Sequence, residues 1–540
     1  MSENTPMSTP ETRQPPAAKR LLTAPRVFVP AALLVVAMVI PTLIWPTAME
    51  ERLIALRGDV ITDMSWWFVA IVTGFVVFAI WMALSPMGRV VLGKDDEDPE
   101  FGLLSWFAML FAAGMGIGLV FYGVAEPLFH FAGPPPGTSD DPAEMARTAM
   151  DVTYLHWGLH AWAIYVVVGL ALAYAIHRKG RPASIRWALE PLFGKRVDGV
   201  VGDLIDVIAI VGTLFGVATS LGIGVTQIGA GLQFLDVVEE STDALLVVLI
   251  AAITGVALVS VITGIDKGIK FLSNINMVMA GFLVLAVLVL GPTVFLLSDF
   301  VQQIGSYLQN LLRMSFNTFS FEADGPVWLS GWTTFYWGWW ISWAPFVGMF
   351  IARISKGRTV REFVAGVLLV PTTVTFLWFA VMGGTALHRE LFGGGGMIDE
   401  EGAVSLNTAL FEMLDDLPLG VPLSIIAIFL IVVFFVTSSD SGSFVVDMIA
   451  SGGDPNPPVW SRAFWAALEG VVAAALLLAG GLYALQTMAI LVAVPFSIIM
   501  VLMVIATTRA LLGENRVYQK RRRKWLAEEV AREMANNRSS

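Results

Sequence analysis

The sequence predicts an all-α polytopic membrane protein with twelve transmembrane helices, and two observations carry that expectation. Of the 540 residues, 56% are hydrophobic and only 14% charged, and the mean hydropathy is +0.73. Water-soluble globular chains of this size do not have such a composition. The apolar residues also fall in near-continuous runs of about 20, the length a helix needs to cross roughly 30 Å of hydrocarbon. The strands of an outer-membrane barrel would read as ten-residue alternations instead. The chain has no Cys, which excludes disulfides, thiol nucleophiles and Cys-ligated metal centres. Nothing in the sequence points to a nucleic-acid partner.

The expected spans are residues 27–46, 65–86, 102–124, 152–176, 204–232, 244–264, 275–298, 329–352, 361–385, 422–446, 461–480 and 484–508. The first follows a polar, Pro-rich tail (1–26) and has no small-residue cleavage site, so it reads as a retained helix rather than a signal peptide. With a cytoplasmic N-terminus, 28 of the 33 Lys and Arg residues lie inside, leaving only Arg52, Arg57, Arg147, Arg313 and Arg389 outside. The positive-inside rule therefore predicts a multi-pass protein of the plasma membrane with both termini cytoplasmic. Residues 300–319 have helical apolar spacing with Gln, Asn and Ser between. They predict an interfacial helix that either packs between protomers or caps the bundle.

Three segments depart from plain apolar helix. In span 3, Gly114, Gly116 and Gly118 alternate, each costing up to about 1 kcal/mol of helix stability relative to Ala. That pattern fits an unwound stretch exposing backbone N–H and C=O groups, and equally fits close helix packing. Span 8 carries Trp337, Trp339, Trp340 and Trp343 before a mid-span Pro345, too deep for an interfacial belt. Span 4 adds Trp157, Trp162 and Tyr165 on one broad face. Trp and Tyr faces hold a quaternary ammonium at roughly 0.5–2 kcal/mol per ring. A carboxylate on the same ligand suits a half-helix N-terminus at the glycines, so the implied ligand is a betaine, a small zwitterion. Third, Thr437, Ser438, Ser439, Asp440, Ser441 and Ser443 form a hydroxyl-rich patch in span 10. It suits a hard cation such as Na⁺ or simply satisfies helix carbonyls. Glu126, Asp206, Asp447 and Glu469 read as structural, and His156 and His160 as packing residues beside Trp157.

The chain resembles the betaine/carnitine/choline transporter family, most closely its sodium-coupled glycine betaine carriers. The resemblance rests on AAGMGIGLVFYGVAEPL (112–128), HWGLHAWAIY (156–165), GIDKGIKFLSNIN (264–276), WTTFYWGWWISWAPFVGMFIARISKGRTVREF (332–363) and FFVTSSDSGSFVVD (434–447). It implies a leucine-transporter-type inverted repeat of spans 3–7 and 8–12. The chain then divides into a cytoplasmic tail (1–26), two peripheral helices (27–101), a first five-helix repeat (102–298), the interfacial helix and its loop (299–328), a second repeat (329–510) and a basic tail (511–540). It also implies a homotrimer and secondary active import rather than an enzyme. By the same resemblance the aromatic box is Trp157, Trp162, Tyr165, Trp339, Trp340 and Trp343. One Na⁺ site is the backbone of Ala112, Met115 and Phe434 with the hydroxyls of Thr437 and Ser438. A second Na⁺ site would use Thr213 and Phe346, but Val217 stands where a second Thr would supply an oxygen. Choline carriers tend to have Asp where this chain has Gly118, which favours glycine betaine, with Na⁺ as coupling ion and no organic cofactor.

A proton-coupled or Na⁺-independent choline or carnitine carrier stays open through Val217 and the two histidines. An intramembrane hydrolase lacks any HExxH or GxSxG motif. Finally, Lys520, Arg521, Arg522, Arg523 and Lys524 lie in a helix-favouring tail. Such a cluster is drawn to an anionic leaflet by about 1 kcal/mol per charge and can exchange onto the acidic loop at residues 95–98; it can also serve only as an anchor.

Overall fold

The structure, a computed structural model, describes residues 24–114, 116–263 and 266–539, and it is almost entirely helical. The helices are α1 (Pro25–Ile44), α2 (Pro46–Leu56), α3 (Thr62–Leu84), α4 (Leu103–Gly114), α5 (Ile117–Ala132), α6 (Pro142–Trp157), α7 (Leu159–Ala173), α8 (Glu190–Phe193), α9 (Val200–Phe234), α10 (Asp243–Thr263), α11 (Asp266–Leu290), α12 (Thr293–Ser315), α13 (Gly325–Gly331), α14 (Thr333–Ile354), α15 (Val360–Phe392), α16 (Ala409–Asp415), α17 (Gly420–Ala450), α18 (Val459–Leu478) and α19 (Gly481–Ser539). All twelve apolar runs fall on these helices. Among the described residues, however, nine helical stretches are long and apolar enough to cross a membrane, α6 and α7 counting as one (Pro142–Arg178), or ten if α11 and α12 are counted together. The differences have local causes. Run 3 is split between α4 and α5, so neither piece is long enough. In run 8, α14 carries Trp, Tyr and Gly residues that lower its hydropathy. Run 7 is interrupted at residues 291–292, where the chain bends by 112° between α11 and α12.

The amphipathic segment begins earlier than the sequence suggests, at Thr293, because the bend is made by Gly291 and Pro292. Pro292 has no N–H to continue α11 and serves as the N-cap of α12. Lipid is the solvent for the outer faces, so large apolar side chains stay exposed there: Leu33, Leu104, Val248, Val289 and Leu312 are more than half exposed. Inside, α14 is the central post. It packs on α7, α9 and α19, and apart from Phe350 and Arg353 every residue from Thr333 to Ile354 is buried. Around it, α5 packs on α6, α9 and α15, while α17 packs on α9, α11 and α18.

At one end of the bundle two loops zip together. Leu92 N–H donates to Arg358 O at 2.8 Å and Val360 N–H to Val90 O at 2.9 Å. Gly357 sits at φ +80°, and a Cβ there would lie 2.3 Å from Asp98 O, so only glycine fits this turn. The long α19 docks on the same end through charge. Glu514 accepts from Lys179 at 2.7 Å and Arg178 at 3.0 Å, Arg178 also pairs with Asp95 at 2.7 Å, and Arg521 lies 3.7 Å from Asp95. The basic tail is therefore already beside the acidic loop. Partly exposed pairs of this kind contribute about 0.2–1 kcal/mol each. Replacing Glu514 with Gln should free the last part of α19, raising trypsin cleavage among Lys520–Lys524 by up to about tenfold, and added salt should produce a similar rise in wild type.

Candidate functional site

The glycine stretch breaks the helix: α4 stops at Gly114 and α5 restarts at Ile117, with Gly116 in extended backbone at φ −143°, ψ −160° as N-cap. Among the described residues no side chain caps α5, Leu119 N–H turns back to Gly116 O at 3.2 Å, and the helix start keeps its partial positive charge. Met115 lies outside the described residues. The next span is broken too, at Gly158 between α6 and α7. A Cβ at Gly158 would meet Tyr154 O at 2.5 Å and Phe376 Cε1 at 2.7 Å, so the break depends on close backbone approach. Nothing in the sequence distinguished this glycine from the many that sit harmlessly inside helices.

These two breaks bring the aromatic residues together. Trp157 meets Trp340 edge-to-face at 4.8 Å and Trp339 at 6.2 Å; Trp339 and Trp340 stack at 4.7 Å. Tyr165 reaches Trp340 at 6.5 Å and Trp162 at 5.4 Å, and Trp340 lies 6.4 Å from Trp343. All six predicted rings thus form one continuous set, none more than 4% exposed. The glycines lie directly beneath it. A Cβ on Gly118 would stand 2.4 Å from Trp339 Cη2 and 3.1 Å from Trp157 Cη2, and one on Gly116 would be 3.2 Å from Trp343 Cη2.

The indoles are held by their N–H groups. Trp339 donates to Ser220 Oγ at 3.2 Å, Trp340 to the His156 carbonyl at 2.9 Å and Trp157 to Glu126 Oε2 at 2.6 Å. Two polar groups of the ring set, Trp343 Nε1 and the Tyr165 hydroxyl, are buried without a hydrogen-bond partner among the described residues. Buried donors of this kind are costly unless something accepts from them. Tyr122, Phe335 and Tyr336 extend the ring set, and sequence reasoning missed them because span 4 and the Trp-rich core of span 8 drew the attention. It also treated Glu126 as structural, although the Glu126 carboxylate, wholly buried, is where Trp157 and Tyr336 converge.

The hydroxyl patch divides. Asp440 is not a free ion ligand, because Arg462 Nη2 donates to its Oδ1 at 2.8 Å. Thr437 donates to Val433 O at 2.9 Å and Phe434 O at 3.2 Å, which leaves its oxygen lone pairs available to a cation. Ser438 follows on the same helix, and α17 packs against α5 and α9. Ala112 lies in the last turn of α4. At the second site Thr213 donates back to Ala209 O at 2.8 Å, and Phe346 packs against Trp343 at 5.7 Å. Val217 points its methyls at α17, where a Cβ on Gly442 would meet Cγ2 at 3.0 Å, so no oxygen is supplied from that position.

With this geometry in place, comparison with known proteins decides the family. The profile described as BCCT, betaine/carnitine/choline family transporter, matches residues 26–516. The chain belongs to the betaine/carnitine/choline transporter family. It is 53% identical over 495 residues to an uncharacterized transporter of Mycobacterium tuberculosis, covering 90% of this chain and 82% of that one. It is 45% identical to the glycine betaine transporter OpuD of Bacillus subtilis (90% and 95% covered) and 43% identical to a glycine betaine transporter of Acinetobacter baylyi (90% and 73% covered). The protein is thus a multi-pass membrane transporter and not an enzyme.

The contact beneath the rings yields a test. Gly118→Ala forces Trp339 or Trp157 to move, at a cost of about 1–3 kcal/mol for overpacking, and substrate affinity should drop by roughly an order of magnitude. Gly255→Ala, in α10 with nothing within 4 Å of the new Cβ, should leave affinity unchanged. Uptake KM and the melting temperature of the two variants measure both effects.

Proposed function

We propose that this transporter imports glycine betaine by Na⁺ symport across the plasma membrane, with both termini cytoplasmic. The observation that carries this reading is the seating of the uncapped N-terminus of α5 against the six-ring set, through Gly116 and Gly118. A trimethylammonium group cannot donate hydrogen bonds, so it is drawn to ring faces, while a carboxylate on the same molecule accepts from N–H and O–H groups. The Trp343 indole and the Tyr165 hydroxyl are donors of the right kind. Trp157 and Trp340 already touch edge-to-face, so the cation must lie on the shared face of the ring set rather than between those two. Relatives carrying the printed name glycine betaine transporter add support at 43–45% identity.

The support for Na⁺ coupling is the oxygen set of Thr437, Ser438 and the Phe434 carbonyl on α17, a helix that packs against α5, with the backbone of Ala112 and Met115 in the same proposal. Thr213 and Phe346 complete a second site only weakly, because Val217 brings methyls instead of an oxygen. That same departure favours the second reading, a proton-coupled or Na⁺-independent carrier of choline or carnitine. A homotrimer belongs to the proposal through the exposed apolar residues Val301, Leu308 and Leu312 on α12. Contact with an anionic leaflet belongs to it through Lys520–Lys524.

Two sets of variants test the reading. Trp340→Leu and Trp162→Leu keep apolar bulk but remove the ring quadrupole. Each should weaken glycine betaine affinity by about 1–2 kcal/mol, near tenfold, and wild-type affinity in both variants at normal expression would refute the cage. Ser438→Ala and Thr437→Ala should raise the half-saturating Na⁺ concentration for uptake into proteoliposomes. Equal wild-type uptake with and without a Na⁺ gradient would move the protein to the second reading.

A further inference from the structure

Glu126 carries more contacts than a packing residue needs. Oε2 accepts from the Trp157 indole at 2.6 Å and from the Tyr336 hydroxyl. Oε1 faces Nδ1 of His156 at 2.7 Å and Nε2 of His130, one turn along α5, at 3.4 Å. All three side chains are fully buried. His130 lies against Trp332 at 4.5 Å and Trp328 at 5.6 Å, and neither ring nitrogen makes a well-formed hydrogen bond. His156 extends the chain of contacts in the other direction: its Nε2 lies 3.0 Å from the Thr333 hydroxyl. Thr333 in turn lines a cavity of about 210 Å³ shared with Trp328, Arg313 and Asp151. One chain of polar groups therefore runs from that cavity through Thr333, His156 and Glu126 to the cage indole.

Charge balance indicates what the cluster holds. Among the described residues, the ion-pair partners of Glu126 are the two imidazoles alone. An ionised carboxylate buried without a cationic partner is strongly disfavoured. A single proton shared by Glu126, His156 and His130 resolves this, either as a neutral acid with neutral imidazoles or as a carboxylate with one imidazolium. We propose that Glu126, His156 and His130 form a proton-binding site, reached from the Thr333 cavity, whose occupancy sets the affinity of the aromatic cage.

The link to the cage is direct, because Glu126 grips Trp157 while the carbonyl of His156 grips Trp340. Without the proton the cluster carries a net negative charge behind Trp157, which favours a cation on the ring face. Proton and substrate therefore oppose each other, and affinity rises as pH rises. Other titratable groups nearby are Tyr122 on α5, bonded by Gln486 of α19 at 3.2 Å, and Tyr336 of α14. His160 of α7 stacks on Trp337, which stands edge-on to His156. Arg57 acts electrostatically on Tyr122 but is stacked on Tyr483. The charged groups of the surrounding helices are engaged elsewhere: Asp203 and Asp206 with Arg186, Asp151 with Ser306 and Asn310, Asp299 with Gln303, Glu412 with Thr408, Asp440 with Arg462, and Asp447 with Ser461. From α15 the neighbours Phe379 and Trp378 present rings.

The proposal rests on the cage reading, and the experiment separates the two. Glycine betaine KM is measured on the full chain in proteoliposomes at saturating Na⁺, from about pH 5.5 to about pH 8.5, the range in which imidazole–carboxylate clusters titrate. Calorimetry in buffers of different ionisation heat counts protons released on binding. Wild type should show KM falling several-fold with rising pH and release of a fraction of a proton. Glu126→Gln, whose amide oxygen can still accept from Trp157 and Tyr336, should show a flat profile and no release. Should that variant fail to reconstitute, Glu126→Asp should keep a pH dependence with a displaced midpoint. A wild-type KM independent of pH, or a wild-type profile retained by Glu126→Gln, overturns the proposal even where Trp340→Leu weakens binding and so upholds the cage. A visible Co²⁺ absorption band that disappears in Glu126→Gln overturns it in favour of a metal site.

Discussion

The contact of the α14 tryptophans with the glycines at the start of α5 is the one on which the rest of this structure depends. Within hydrocarbon a helix cannot stop unless its freed N–H and C=O groups lie inside the protein. Here the chain stops at Gly114, restarts at Ile117, and brings Gly118 so near to Trp339 that no side chain fits between, with Gly116 in tight contact with Trp343. Gly158 does the same one span later, where Tyr154 and Phe376 crowd its backbone. The tryptophans of α14 reach both broken spans, Trp339 and Trp343 toward the start of α5 and Trp340 to the His156 carbonyl of α6, so they gather in a single cluster. The breaks and the rings are therefore one device.

The sequence made some of this legible and hid the rest for physical reasons. Four tryptophans deep in a span have no interfacial explanation, so Trp339, Trp340 and Trp343 stood out, whereas three glycines at alternate positions fitted a break in span 3 and close packing equally, and the structure shows the break. Gly158 did not, since one glycine inside a helix is ordinary and only its neighbours make it special. Asp440 in the hydroxyl-rich patch has a partner that no local pattern reveals, Arg462 on the next helix. Counting spans by apolar length also misleads at the functional helices. The aromatic residues and glycines that build the site are the ones that depress the hydropathy of α14 and shorten α4 and α5. Glu126 is the clearest case: its role is set by Trp157, Tyr336 and His156 from two other elements, and no local pattern contains that information.

The proposed ion coupling involves a similar contrast between local and distant information. Thr437 keeps lone pairs because it donates its proton to carbonyls of its own helix, so its chemistry suits a hard cation. Val217 sits where an oxygen would be wanted but is committed to packing against Gly442 of α17. Replacing it with Thr would bury a hydroxyl, which needs a partner to offset its desolvation. The residue at 217 therefore bears on helix packing as much as on ion number.

Substrate charge follows from how the proposed site is polarised. The uncapped start of α5 presents positive potential beside the rings, while Glu126 lies nine residues further along the same helix, about 14 Å away, behind the Trp157 indole. A zwitterion placed with its carboxylate toward Ile117 and its ammonium on the ring face opposes both poles with the matching sign and adds no net charge to the buried space. Choline would satisfy the rings but leave the helix start without an anion, and its uncompensated charge would have to be desolvated. An Asp in place of Gly118 would supply that anion, yet Trp339 stands 2.4 Å from the position its Cβ would need. Steric fit and electrostatics at Gly118 therefore agree with the proposed substrate, a ligand that carries its own carboxylate.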